Sequence, residues 1–372
     1  MSEHPTDPVL EYSQYCFETY MQPVWHGHTV YNEIVMFYPH HATRAVEPAP
    51  LLYTPEQVLS VRSYDLQTEY VEGKDYVVEN GCLVRTADSR IKAWAYDDYY
   101  LEQPSSVPLP CTQLPGRYFV FGSGAVFAPY QVCVTYTHRD DWQGPIPTWQ
   151  GHKLPRTMQT LLSGGELNVV YYGPSGTAGK EASGLLGIAP YMPRWTDLVT
   201  TAMEQTAGVT VHAVNTAVSG KKIDWGLDNV QERVIAYKPD LLLLEFGGND
   251  GSAKWPCDKF KTYNRRIIEA VREQYPACEV LLVTPYLFNP YEGSRNGPQA
   301  VYQTGLLELA EETPGVAVAN MTEVNRYILS KKRYGDVTGN NVNHHNDFLI
   351  RVTAQVVCAA LFPEDILRKK GI

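Results

Sequence analysis

From Arg156 onward the sequence carries five short apolar runs, LNVVYYG, VTVHAVN, DLLLLEF, EVLLVTP and VAVAN, separated by helix-length amphipathic stretches. This alternation constrains the fold more than any other feature. A run such as Leu241–Leu244 is apolar on both faces, so a strand built from it must be covered on both faces. Helices between consecutive strands supply that cover, which predicts a parallel, doubly wound α/β domain. Within one intervening stretch, DKFKTYNRRIIEAVREQYP, the spacing predicts a helix with Phe260, Ile267, Ile268 and Val271 on one face and Asp258 as its N-cap.

Before about residue 140 the pattern is different. TVYNEIVMFYP, QVLSVRSYDL, DYVVENGCLVRT, YFVFGSGAVFAPY and QVCVTYTH are rich in Val, Tyr and Phe, several alternate with period two, and Gly, Pro and Asp punctuate them. They predict an antiparallel β-sandwich. The turn-rich stretch RDDWQGPIPTWQGHKLP marks the boundary, giving a β-sandwich over residues 1–155 and the α/β domain over 156–372.

Composition then narrows the function classes. Hydrophobic residues make up 44% and charged residues 19%, which excludes a disordered chain. No apolar run approaches the roughly 18–20 residues that span a bilayer. MSEHPTDPVLEYSQY has neither the basic nor the apolar part of a signal peptide, so a soluble, cytoplasmic protein is expected. The net charge is −10, and up to Pro155 there are 9 basic against 18 acidic residues. Such a surface repels phosphate backbones and anionic lipid, so neither nucleic acid nor membrane is expected as a partner. The seven cysteines show no CxxC spacing and read as reduced thiols. His26/His28 and His40/His41 lack Cys, Asp or Glu partners at ligand spacing, so no metal site is expected.

In an open parallel sheet, ligands bind beyond the carboxyl ends of the strands. After the first strand comes GPSGTAGK, with Ser175; after the second NTAVSGKK, with Gly220; after the third GGND, with Asn249; and before the last helix NNVNHHND, with His344. Taken singly, Ser175 and Gly220 are turn residues and Asn249 a side chain satisfying its own backbone. Together, one hydroxyl, one glycine turn, one amide and one imidazole at one sheet edge are the inventory of an acyl-transfer site.

These four blocks, in this order, resemble those of the SGNH (GDSL-type) hydrolase superfamily over roughly residues 156–372, and YYGPSGTAGKEASG, APYMPRW and NHHND are similar to its bacterial carbohydrate-esterase branches. The β-rich half ahead resembles the jelly-roll-like accessory domain of two-domain members. The resemblance implies a flavodoxin-like, three-layer domain with strand order 2-1-3-4-5. It also implies Ser175 as nucleophile at a helix N-terminus, His344 as base, and an oxyanion hole from the Ser175 and Gly220 N–H groups and the Asn249 amide. Neither metal nor organic cofactor is implied. The expected substrate is a small O-acylated molecule, a carbohydrate above all, with the deacylated product formed through an acyl-serine. The neighbouring readings are an acyltransferase, or a binding protein on a decayed esterase scaffold.

Three positions depart from the superfamily pattern. Pro174 stands where an Asp normally pins the nucleophile turn, and Gly176 stands where an aliphatic residue is common. Asn341 occupies the acid position of the DxxH pattern. An amide cannot stabilise imidazolium by charge, and the equivalent Asp-to-Asn change in a serine protease costs about 10⁴ in turnover. The expectation is therefore a Ser175–His344 dyad oriented by a backbone carbonyl, or else by Asn341 itself. Asp347 is expected to cap the last helix, His345 to lie on the pocket rim, and Tyr191, Trp195 and Trp225 to pack near the site.

Overall fold

The β-rich half contains eight short strands, β1 (Thr29–Met36), β2 (Ala49–Pro50), β3 (Pro55–Ser63), β4 (Tyr76–Glu79), β5 (Cys82–Arg85), β6 (Tyr100–Leu101), β7 (Tyr118–Phe119) and β8 (Gln131–His138). In this computed structural model, which describes residues 12–364 and 366, they form antiparallel sheets of order β1-β8-β3 and β2-β5-β4 and a β6-β7 ribbon. Residues 1–11, which hold most of the segment inspected for a signal peptide, lie outside the described residues. β8 is central and buried along nearly its whole length, as its QVCVTYTH run requires. YFVFGSGAVFAPY is strand only at Tyr118–Phe119 and turns into a short helix at Gly124–Phe127. Gly122 and Gly124 interrupt the run and Pro129 cannot donate to a ladder. Its aromatic rings pack instead with Trp94, Tyr99 and Tyr100.

The second half contains five parallel strands, β9 (Gly165–Tyr172), β10 (Val209–Asn215), β11 (Leu241–Leu244), β12 (Glu279–Val283) and β13 (Val316–Ala319), ordered β10-β9-β11-β12-β13. This is the expected 2-1-3-4-5 order, a flavodoxin-like sheet with helices on both faces. The loops after β10, β9 and β11 are therefore neighbours at the sheet's carboxyl edge. The helix Cys257–Gln274 buries Phe260, Ile267, Ile268 and Val271 as its spacing predicts. Its N-cap is Pro256, however, and Asp258 lies in the first turn, where a carboxylate still favours the positive end of the helix.

The two halves share one core. Every residue of the last helix, Asp347–Leu361, is buried. On one side it packs against the helix Trp195–Ala207 and β13, on the other against β1. Gln355 donates to the carbonyls of Tyr20 (2.8 Å) and Gln22 (2.7 Å) and accepts from the Val24 N–H, and Arg351 donates to the Tyr31 carbonyl. Lys332 pairs with Glu33 across the seam, both side chains fully buried, and the Met36 N–H donates to Asp336 at 2.8 Å. No described helix is long and apolar enough to cross a membrane.

Candidate active site

Gly173 ends β9 because nothing larger fits: a Cβ there would lie 2.1 Å from Thr177 Oγ1 and 2.2 Å from the Glu245 carbonyl oxygen. The chain then runs through successive turns, with Ala178 N–H bonded to the Pro174 carbonyl and Lys180 N–H to the Ser175 carbonyl. No regular helix forms here, so the expected helix N-terminus at Ser175 is absent. Gly176 and Gly179, the latter at φ +74°, carry the chain through tight turns instead. The hydrogen bonds that Pro174 cannot make are supplied by other residues. Thr177 Oγ1 donates to Glu245 (2.6 Å), Asn215 to the Thr177 carbonyl (2.7 Å) and Trp195 Nε1 to the Gly176 carbonyl (3.0 Å). Gly176 leaves no void, since a Cβ would meet the Tyr286 ring at 2.9 Å and Glu245 at 3.0 Å. Burial pushes the Glu245 carboxyl up to about 7.

Ser175 is 6% exposed, and its Oγ lies 2.9 Å from His344 Nε2. The two come from segments 169 residues apart in the chain. The His344 loop is held by Asn340, whose Oδ1 accepts from the N–H groups of Val342, Asn343 and His344, each at 3.0 Å. The His344 carbonyl accepts from Thr338 Oγ1 and Gly339 N–H, both at 2.9 Å.

On the oxyanion side, Asn249 Nδ2 donates to the Lys221 carbonyl at 2.9 Å, which joins the β11 loop to the loop holding Gly220. One Nδ2 hydrogen is left for a ligand. Gly220 has φ +77°, a backbone that favours glycine. Neither the Ser175 nor the Gly220 N–H has a hydrogen-bond acceptor among the described residues. Asp250 ties the same loops together, accepting from Ile223 N–H (2.9 Å) and Gly247 N–H (3.0 Å), and burial pushes its carboxyl up to about 6.

The other face of His344 differs from expectation. Nδ1 meets neither a backbone carbonyl nor Asn341 but Oε1 of Glu181, at 3.3 Å. Asn341 turns away: its Oδ1 accepts from the Tyr99 hydroxyl at 2.9 Å and its Nδ2 donates to the Val120 carbonyl at 3.4 Å. Asp347 is the first residue of the last helix, whose N-cap is Asn346, and its Oδ1 accepts from Ser183 N–H. His345 is buried rather than on a rim, its ring 3.7 Å from that of Tyr286, and desolvation holds it neutral. Trp195 is buried against Tyr171, Tyr191 is 62% exposed, and Trp225 is half-buried beside Lys221. A cleft of about 330 Å³ at the seam, lined by Tyr38, His40, Tyr99, Tyr100, Tyr291 and Arg333 among others, includes neither Ser175 nor His344. Among the described residues no group of three His, Cys, Asp or Glu is placed to hold a metal ion.

Residues 172–347, from the end of β9 to the start of the last helix, match the sequence profile of the GDSL-like Lipase/Acylhydrolase family. The matched segment is just under half of the chain and carries the Ser175, Gly220, Asn249 and His344 blocks. No curated protein sequence matches this chain. Among solved structures it is similar to a two-domain esterase (CEX) active on acetylated mannans, at 18% identity and TM-score 0.46, over 61% of this chain and 56% of that one. The match thus spans just over half of that esterase. It is also similar to the acetyl xylan esterase AlAXEase (21% identity, TM-score 0.42, 53% of this chain and 100% of that one). A third is a catalytic mutant of Axe2, an acetylxylan esterase from Geobacillus stearothermophilus (16%, 0.42, 56% and 96%).

Proposed function

We propose that the protein is a serine esterase that removes small acyl groups, acetyl above all, from an O-acylated carbohydrate or a similar small molecule. The observation that carries this reading is the 2.9 Å approach of Ser175 Oγ to His344 Nε2 at the carboxyl edge of the sheet. Ser175 Oγ attacks the ester carbonyl carbon while Nε2 takes its proton. The carbonyl oxygen becomes an oxyanion and accepts from the Ser175 and Gly220 N–H groups and the Asn249 amide. The tetrahedral intermediate collapses, His344 returns the proton to the departing alkoxide, and an acyl-Ser175 remains. Water, deprotonated by His344, then attacks this ester and releases the carboxylic acid and free Ser175.

A cavity of about 10 Å³ lined by Gly176, Trp195, Glu245, Tyr286 and His345 has room for about one water and includes neither Ser175 nor His344. A decayed scaffold is disfavoured because the serine and histidine retain a working hydrogen-bond distance. Purified protein is expected to hydrolyse p-nitrophenyl acetate well and longer-chain esters poorly. Ser175→Ala should lower kcat by at least about 10⁴-fold and abolish the fluorophosphonate adduct seen by intact mass. Equal labelling of the alanine variant would remove Ser175 as nucleophile.

A further inference from the structure

On the esterase reading above, we propose that Glu181 is the carboxylate that positions His344, and that the antiparallel N-terminal half of the chain holds it there through Gly124. The superfamily's DxxH position is occupied by Asn341, whose side chain is engaged by Tyr99 and Val120 and does not reach the imidazole. Glu181 occupies the vacated role from a different segment. Its Oε1 lies 3.3 Å from Nδ1, and its side chain is 6% exposed. A carboxylate there accepts the Nδ1 hydrogen, which leaves the Nε2 lone pair facing the Ser175 hydroxyl and favours the imidazolium formed when that proton moves.

Its own turn and two distant segments hold Glu181 in place. Its own backbone is at φ +71°, in the left-handed region that a glutamate rarely adopts, within the turns that follow the nucleophile. Its second oxygen, Oε2, accepts the N–H of Gly124, which begins the short helix Gly124–Phe127 of the N-terminal half. Its stem packs on Gly339 of the histidine loop, where a Cβ would come within 2.6 Å of Glu181 Cβ. A Cβ on Gly124 would lie 2.8 Å from Oε2 and 2.6 Å from Leu186 Cδ1, so glycine is needed on that side as well. The carboxylate is thereby clamped with one oxygen for the histidine and one for the neighbouring half of the molecule. The N-terminal half in this way sets the geometry of the reaction itself.

The test compares the full-length protein with Glu181→Gln, Gly124→Ala, the double variant and Asn341→Ala. It uses p-nitrophenyl acetate kinetics, fluorophosphonate labelling and the low-field imidazole N–H signal in proton NMR. Glu181→Gln should lower kcat by about 10²–10⁴-fold with KM within about threefold, the pattern of a group acting on the transition state. Gly124→Ala should lower kcat by about tenfold or more, and the double variant should be no worse than Glu181→Gln, because both act through one carboxylate. Asn341→Ala should stay within about tenfold of wild type, roughly 1.4 kcal/mol of barrier. The low-field signal should be present in wild type and Asn341→Ala and lost in Glu181→Gln. The proposal is overturned by unchanged kcat in Glu181→Gln, by persistence of the signal in that variant, or by multiplicative losses in the double variant. If Glu181→Gln does not fold, Gly124→Ala decides: an unchanged signal and kcat in it overturn the proposal. Wild type that neither hydrolyses esters nor takes the label would instead overturn the esterase reading, so the two failures are distinguishable.

Discussion

The carboxyl edge of the parallel sheet and the antiparallel N-terminal half contribute to the same site in different ways. The α/β half presents Ser175, Gly220 and Asn249 on loops that become neighbours once β9 lies between β10 and β11, and His344 on the loop before the helix Asp347–Leu361. Among the described residues, no side chain of the N-terminal half hydrogen-bonds the side chain of Ser175 or His344. That half offers instead a backbone N–H from Gly124, the Tyr99 hydroxyl that occupies Asn341, and one partner of a buried ion pair. The comparison separates two kinds of contribution. Groups that meet charge developing in the reaction come from the α/β half, and some of the groups that fix where those meet, Gly124 and Tyr99, come from across the seam.

If that division is right, breaking the seam should cost stability first. Lys332→Ala removes the buried cation that Glu33 faces, leaving that side chain only the Leu52 N–H and the Tyr136 hydroxyl, and should destabilise the protein by about 3–5 kcal/mol. Because the two halves share one core, urea unfolding should remain a single transition, with near-UV circular dichroism and ester hydrolysis lost together. Two separate transitions would show the halves to be independent. Asn249→Ala lies wholly on the sheet edge and should do the reverse. It should lower kcat by about 10²–10³-fold, roughly 2.7–4 kcal/mol, with KM and the denaturation midpoint nearly unchanged. A raised KM at constant kcat would instead make Asn249 a ground-state binder.

The smallest effect belongs to Glu245, which floors the nucleophile turn. Its carboxyl titrates near 7 in the folded protein against about 4.5 as a free side chain. Between those values the folded state holds a proton that the unfolded chain releases, so this group's contribution to stability falls as pH rises through the window. Glu245→Gln removes that dependence. Its stability relative to wild type should therefore improve by about 1–3 kcal/mol from pH 4.5 to pH 8, read from denaturation midpoints at the two pH values. A difference that stays flat with pH would mean the carboxylate is already charged at the lower value.

The five strands of the α/β half were legible because a strand buried on both faces leaves an apolar run, and that run is local. So were the blocks with Ser175, Gly220 and Asn249, since each follows its strand within a few residues, and the His344 block, which precedes a helix. Glu181 was not legible. Its partners are His344, 163 residues away, and Gly124, 57 residues away. The one available signal was indirect: an Asn at the DxxH position leaves the imidazole without its usual acid, and Glu181 is the acid in the turns after the nucleophile. The need for glycine at 176 was not legible for a similar reason, because the space beside it is filled by Tyr286 and Glu245 from other strands' ends. In YFVFGSGAVFAPY the spacing of aromatics reflects the packing of an aromatic cluster and not a strand period.

The last helix also imposes an order in time. A ribosome reaches Asp347 roughly 200 residues after it has finished β8, an interval on the order of 10–40 s at common elongation rates. During that interval the newly made antiparallel half has no partner for the face that Phe348, Arg351, Val352 and Gln355 will cover. Its Tyr20 and Gln22 carbonyls and its Val24 N–H wait for a glutamine that is not yet synthesised. The nascent chain must therefore carry an unfinished apolar surface until the helix Asp347–Leu361 is made. In cells that makes it a natural client for holding chaperones, and any stop codon placed before the last helix should yield insoluble product rather than a smaller working enzyme.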